Sequence, residues 1–141
     1  MSFSTKQVVD TNIALLGLIQ ADRENKIILS SAVRIRLAGI LRKTKPIFED
    51  YKEENTALFK KFGSLNKNGE LEVAQNSPGR PLFDEAIKAM NAEPTEIESF
   101  PEVTHEELFG KVQKTKDGEK PENQIDLDVL SILMEVGILK E

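Results

Sequence analysis

The chain has no cysteine and no tryptophan, and only one tyrosine and one histidine. Without cysteine there is no disulfide, no thiolate nucleophile and no zinc site of the cysteine type. That composition fits a reducing interior, and a cytoplasmic protein is expected. Long apolar runs are missing as well. The most apolar stretches, Ile13 to Ile19 and Ile27 to Leu29, fall far short of the ~20 residues a spanning helix needs. No membrane contact is expected. The N-terminus shows no basic segment followed by an apolar run and a small-residue cleavage site, so no secretory signal is read. The eight glycines form neither GxxxxGK[ST] nor GxGxxG, which removes the familiar phosphate-cradling loops.

Catalytic constellations are equally scarce. A general base needs a nucleophile and an orienting group within hydrogen-bond reach, and His105 has only Glu106 and Glu107 beside it in sequence. Those acids suit a capping box and the positive end of a helix dipole. Asp126 and Asp128 could be half of a metal site, but the further oxygen ligands that calcium or magnesium require are not at loop spacing. They read instead as the start of a helix. The expectation is a protein with no enzymatic activity, no metal and no cofactor.

What is present is a chain of 141 residues, 39% hydrophobic and 30% charged, an ordinary balance for one globular domain. Its dominant pattern is a helical stripe from Val33 to Phe62. Val33, Leu37, Ile40, Leu41, Ile47, Phe48, Tyr51, Leu58, Phe59 and Phe62 recur on one side at about 100° per residue. Ser30 or Ser31 suits the N-cap and Gly63 the stop. The stripe keeps its phase across Pro46, so a single kinked helix is expected, protruding and inviting self-association, that is, a homo-oligomer. A first helix over about Thr5 to Gln20, with Val8, Val9, Ile13, Leu16 and Ile19 inward, would pair with it as a helical hairpin.

Further along, Asn66 to Gly69 reads as a turn, and Gly69 to Ala74 as a short strand with Leu71 and Val73 inward. A third helix is predicted over Leu82 to Asn91, with Phe83, Ile87 and Met90 on its buried face. Thr95 to Phe100 reads as a second strand, paired with the first in a small two-stranded sheet. Thr104 opens a short helix closed by Gly110. Residues 113–124, polar and rich in Lys, Gly, Glu and Pro, read as a flexible linker. Asp126 to Lys140 then forms a C-terminal amphipathic helix with Leu130, Leu133, Met134 and Ile138 apolar. The fold expected is α+β, mainly α: a core domain over residues 1–112, the linker, and the C-terminal helix over 125–141. That helix either packs on the core or is a tethered peptide docking on a protein partner.

The net charge of −5 conceals an asymmetry, +3 over residues 1–72 against −8 over residues 73–141. Arg34, Arg36, Arg42, Lys43 and Lys45, with Arg23 and Lys26 upstream, concentrate positive charge on the polar side of the long helix. Guanidinium and ammonium groups so placed can follow a phosphate backbone. They can equally be a solvated face. Single-strand binders also stack bases on exposed rings; here only Phe3, Phe100 and Phe109 fall outside the helical stripes.

The order of these segments resembles that of small, functionally uncharacterised bacteriophage proteins. The resemblance rests on the long helix ending in Leu58-Phe-Lys-Lys-Phe-Gly63, the Asn-Gly turn, Glu70-Leu-Glu-Val73, the Phe-containing helix and Glu96-Ile-Glu-Ser-Phe100. It implies an accessory protein acting in a host cytoplasm. In size and acidity the chain is also similar to the single-stranded-DNA-binding RNA polymerase cofactors of podophages. The basic cluster makes single-stranded nucleic acid the first partner expected. A protein–protein module of virion assembly or host takeover is the second.

Overall fold

The computed structural model describes residues 2–110, 112–115, 118–121 and 123–140. In chain order they form β1 (Ser2–Ser4), α1 (Thr5–Arg23), α2 (Ser31–Phe62), β2 (Ser64–Leu65), β3 (Leu71–Glu72), α3 (Arg80–Ala92) and β4 (Pro94–Glu96). There follow β5 (Val103–Thr104), α4 (His105–Phe109), β6 (Val112–Thr115), β7 (Gly118–Pro121), α5 (Leu127–Glu135) and β8 (Leu139–Lys140). The fold is α+β and mainly α. None of the described helices is long and apolar enough to cross a membrane.

Helix α1 begins at a reciprocal cap. The Ser4 hydroxyl accepts from the Gln7 N–H at 3.2 Å, and the Gln7 side chain accepts from the Ser4 N–H at 2.9 Å, matching two of the first-turn donors that a helix leaves open. The chain then reverses through residues 24–30, where Asn25 takes a left-handed φ of 60°. Asp22 braces the reversal by accepting from the Leu29 N–H at 3.1 Å. Ser30 caps α2 on the Val33 N–H. Its 32 residues run about 48 Å at 1.5 Å per residue. The helix passes through Pro46, which has no N–H to give the Arg42 carbonyl.

The helix is longer than one core can cover, and it carries two. Its first half packs on α1, which in turn carries α5, in the main core, where Leu15, Leu29, Val33, Leu37, Ile40, Leu108, Leu133 and Ile138 are all buried. Full burial of each large apolar side chain contributes about 1.5–3 kcal/mol. Its last turns pack on α3 and β3 in a smaller cluster of Leu58, Val73 and Phe83, joined by Phe59 and Phe62. The Phe59 and Phe83 rings meet edge to face at 5.0 Å. Phe48 and Tyr51, between the two, are only half-buried.

Several expectations need correcting. Val8 and Val9 are buried as expected, but Ile13 and Leu16 of α1 are 53% and 47% exposed, because the buried face continues through Ala14, Leu15 and Leu18. The two strands expected to pair do not. Instead β3 pairs with β2 as a hairpin across the Asn-Gly turn, and β4 pairs with β1, Ser2 opposite Glu96. Leu71 is consequently exposed. Phe3 and Phe100 are buried and stacked on one another at 5.4 Å, so neither ring is open to a base. The segment expected as a linker holds the antiparallel pair β6 and β7. The final helix stops at Glu135, because Gly137 turns the chain with φ +80° into β8, which lies parallel to β5.

The C-terminal helix packs on the core. Leu133 and Ile138, proposed from sequence as partner-facing, lie inside the main core at 1% and 0% exposure. Leu130 is half-buried against it, and Met134 is exposed. One polar residue fastens this end of the chain. Asn123, fully buried, donates from Nδ2 to the Ile28 and Leu108 carbonyls, both at 2.8 Å, and accepts from the Ile28 N–H at 2.7 Å.

Candidate functional site

Between Ser31 and Phe48 the long helix carries five cations and no carboxylate. The fold divides those cations into two sets. Arg34 is engaged at the helical hairpin, where Nε and Nη2 bind the two oxygens of Asp22 at 2.6 and 3.1 Å. This fork holds the Asp22 carboxyl below its usual range against a partial desolvation. Arg36 is engaged on another side. Its Nη1 donates to the Glu102 carbonyl at 2.8 Å and to Glu107 Oε1 at 3.0 Å, and Nη2 binds the second Glu107 oxygen. The guanidinium, with help from the Thr104 N–H, lowers Glu107 to about 2, and Arg36 is raised in return. Upstream, Lys26 pairs with Glu24 at 2.9 Å.

Arg42, Lys43 and Lys45 form the second set. All three are exposed, and none has an ion pair with any described residue. Arg42 and Lys45, three residues apart, share a face of the helix, whereas Lys43 points about 100° away from Arg42. The helix period thus brings two of the three onto one wall and leaves the third beside it.

That wall borders a groove between α1 and α2. Its larger part, about 930 Å³, is lined by Leu16, Gly17, Ile19, Arg23, Arg34, Leu41 and Arg42 among others. A smaller recess of about 360 Å³ adjoins it, sharing Leu16, Leu41 and Arg42 and adding Asn12, Lys45, Phe48, Glu49 and Lys52. Leucine side chains floor the groove while Arg23, Arg42 and Lys45 stand on its borders. Lys52 lies 4.9 Å from the centre of the Phe48 ring and pairs with Glu49 at 3.3 Å.

Beneath the recess, Asn12 and Thr44 are buried and joined by a hydrogen bond of 2.9 Å from Asn12 Nδ2. The Asn12 Oδ1 has no donor among the described residues. Asn12, Leu16 and Phe48 were not among the site residues read from sequence. The misplaced phase of α1 hid the first two, and Phe48 was assigned to the buried stripe.

His105 sits at the start of α4 as expected, with the Thr104 and Glu107 capping box formed. Its Nδ1–H meets the Lys140 carbonyl at 3.2 Å, and its ring stacks on Phe109 at 5.8 Å. Asp126 caps α5, accepting from the Asp128 N–H at 2.9 Å. Comparison with family models, characterised proteins and solved structures finds no match to this chain.

Proposed function

We propose that the protein is a non-enzymatic accessory protein, of the phage kind its sequence resembles, that binds single-stranded nucleic acid along the α1–α2 groove in the host cytoplasm. Arg42 and Lys45 contact successive phosphates, Arg23 adds charge from the opposite wall, and Lys43 contributes from the flank. The observation that carries this reading is the set of exposed cations without ion pairs beside an apolar-floored groove. A groove of that kind suits a flexible strand, which can turn its bases inward and its phosphates outward. Arg34 and Arg36, already held by carboxylates, have positioning roles in the fold.

Fluorescence anisotropy of a labelled single-stranded oligonucleotide across a salt series tests the proposal. Three or four phosphate contacts should give log Kobs a slope of about −2 to −3 against log salt. An absence of binding at low salt, or an affinity indifferent to salt, would remove it.

A second reading, a module for a protein partner, rests on the outer face of α5. Leu127 and Met134 are exposed there with Leu130 between them, at a spacing suited to a groove-seeking helix. It expects loss of a captured partner on Leu127→Ala and Met134→Ala, with nucleic-acid affinity unchanged.

A further inference from the structure

Resting on the nucleic-acid reading, we infer that the recess at Leu16, Leu41 and Phe48 is a subsite for one unstacked base, with Arg42 and Lys45 holding the phosphates on either side of it. Three observations converge there. First, the recess is about 360 Å³, at the small end of the ~300–1,000 Å³ of small-ligand sites, a size that suits one flat ring. Second, the recess combines the apolar Leu16, Leu41 and Phe48 with Arg42 and Lys45, which have no ion pair among the described residues. Leu16 is 47% exposed although apolar, and Phe48 carries the Lys52 ammonium over its face. A base entering here covers the leucines, and Lys52, leaving the Phe48 ring and its Glu49 partner, joins Arg42 and Lys45 at the phosphates.

Third, the inner wall contains a polar group the fold leaves unmatched. Asn12 lines the recess at 1% exposure, its Nδ2 committed to Thr44 and its Oδ1 without a donor. A buried acceptor without a partner is unfavourable, and a ligand N–H reaching it relieves that state. Every common base has an N–H on its pairing edge, so this contact favours bases over featureless apolar groups without selecting a sequence. The subsite is therefore base-dependent and tolerant of which base it holds.

The test compares two oligonucleotides of equal length and charge, oligo-dT and a fully abasic strand, bound to the intact protein over a salt series. Oligo-dT is expected to bind roughly tenfold tighter, the order of one stacked base, with the same salt slope for both strands. Phe48→Ala and Leu16→Ala, at half-buried and exposed positions that leave the main core intact, should erase most of that difference and leave the slope alone. An oligonucleotide carrying 2-aminopurine should change its emission on binding to the wild type and not to Phe48→Ala. If the abasic strand binds as tightly as oligo-dT with the salt slope intact, the base subsite is wrong and the electrostatic reading stands. If neither strand binds, both fall.

Discussion

Asn123 has its entire side-chain amide committed to Ile28 and Leu108. It holds backbone groups from the loop before α2 and from α4 against one another, as a strand partner would. Each buried group that loses its partner costs about 1–3 kcal/mol. Asn123→Ala should therefore lower unfolding stability by about 2–4 kcal/mol in a urea titration, where an exposed linker residue would lower it hardly at all. Nothing in the sequence marks Asn123 out. It lies in a polar stretch whose composition suggests solvent, and its role depends on contacts 95 residues away.

Glu107 is one residue through which acid acts on the fold. Its carboxyl is lowered from the usual 4.5 to about 2 by Arg36 and the Thr104 N–H. A depressed carboxyl contributes stability that is complete above the unfolded value and lost as pH falls through the folded one. Acid should therefore weaken the Arg36 tie between about pH 4.5 and 2. Glu107→Gln should flatten thermal stability across that window relative to the wild type, and an unchanged acid profile would refute the assignment.

Among the elements, helices were legible and strand partners were not. Helices α2 and α3 announce themselves by apolar spacing at the helical period, and α4 by its capping box. The strands are two to four residues long, too short for alternation to specify a partner. Ser2 opposite Glu96 is a product of where α1 begins and α3 ends, not of any local pattern. The error in α1 has a similar cause. Ile13 and Leu16 satisfy one helical phase and Leu15 and Leu18 another, and packing against α2 chooses between them.

The junction of α2 with β2 depends on Gly63. Its φ of −98° is open to any residue, so the requirement is space. A Cβ there would lie 2.5 Å from the Phe59 carbonyl oxygen and 2.8 Å from that of Glu72. Gly63→Ala should cost about 1–3 kcal/mol as the hairpin is pushed off the helix end, seen as a lower Tm. An unchanged Tm would mean that the hairpin moves aside freely.

At the scale of the molecule, a long helix joins two apolar clusters of unequal size. Regions with fewer buried apolar contacts open at lower free energy. Amides of α3 and of the final turns of α2 should exchange with solvent by a partial opening, ahead of those at Leu37 and Ile40. Leu58→Ala should accelerate that opening alone, whereas Leu37→Ala should cost about 2–5 kcal/mol globally. Uniform exchange across the two clusters would argue for a single cooperative unit.

The same view explains how much of the candidate site could be read in advance. The excess of cations over Arg23 to Lys45 is plain in the sequence. Which of them keep their charge open is decided by Asp22, 12 residues before Arg34 across the hairpin, and by Glu107 on a separate helix. The apolar floor depends on the phase of α1 beyond Val9, where periodicity turned Ile13 and Leu16 inward.

The most direct measurement is the salt dependence of single-strand affinity for two double variants. Arg42→Ala with Lys45→Ala should reduce the slope by about 1.4, near 0.7 per lost phosphate contact, while Arg34→Ala with Arg36→Ala, measured below their lowered Tm, should leave it close to that of the wild type. Equal loss from both pairs, or loss from the second pair only, would contradict the division of the cations on which the proposed interface rests.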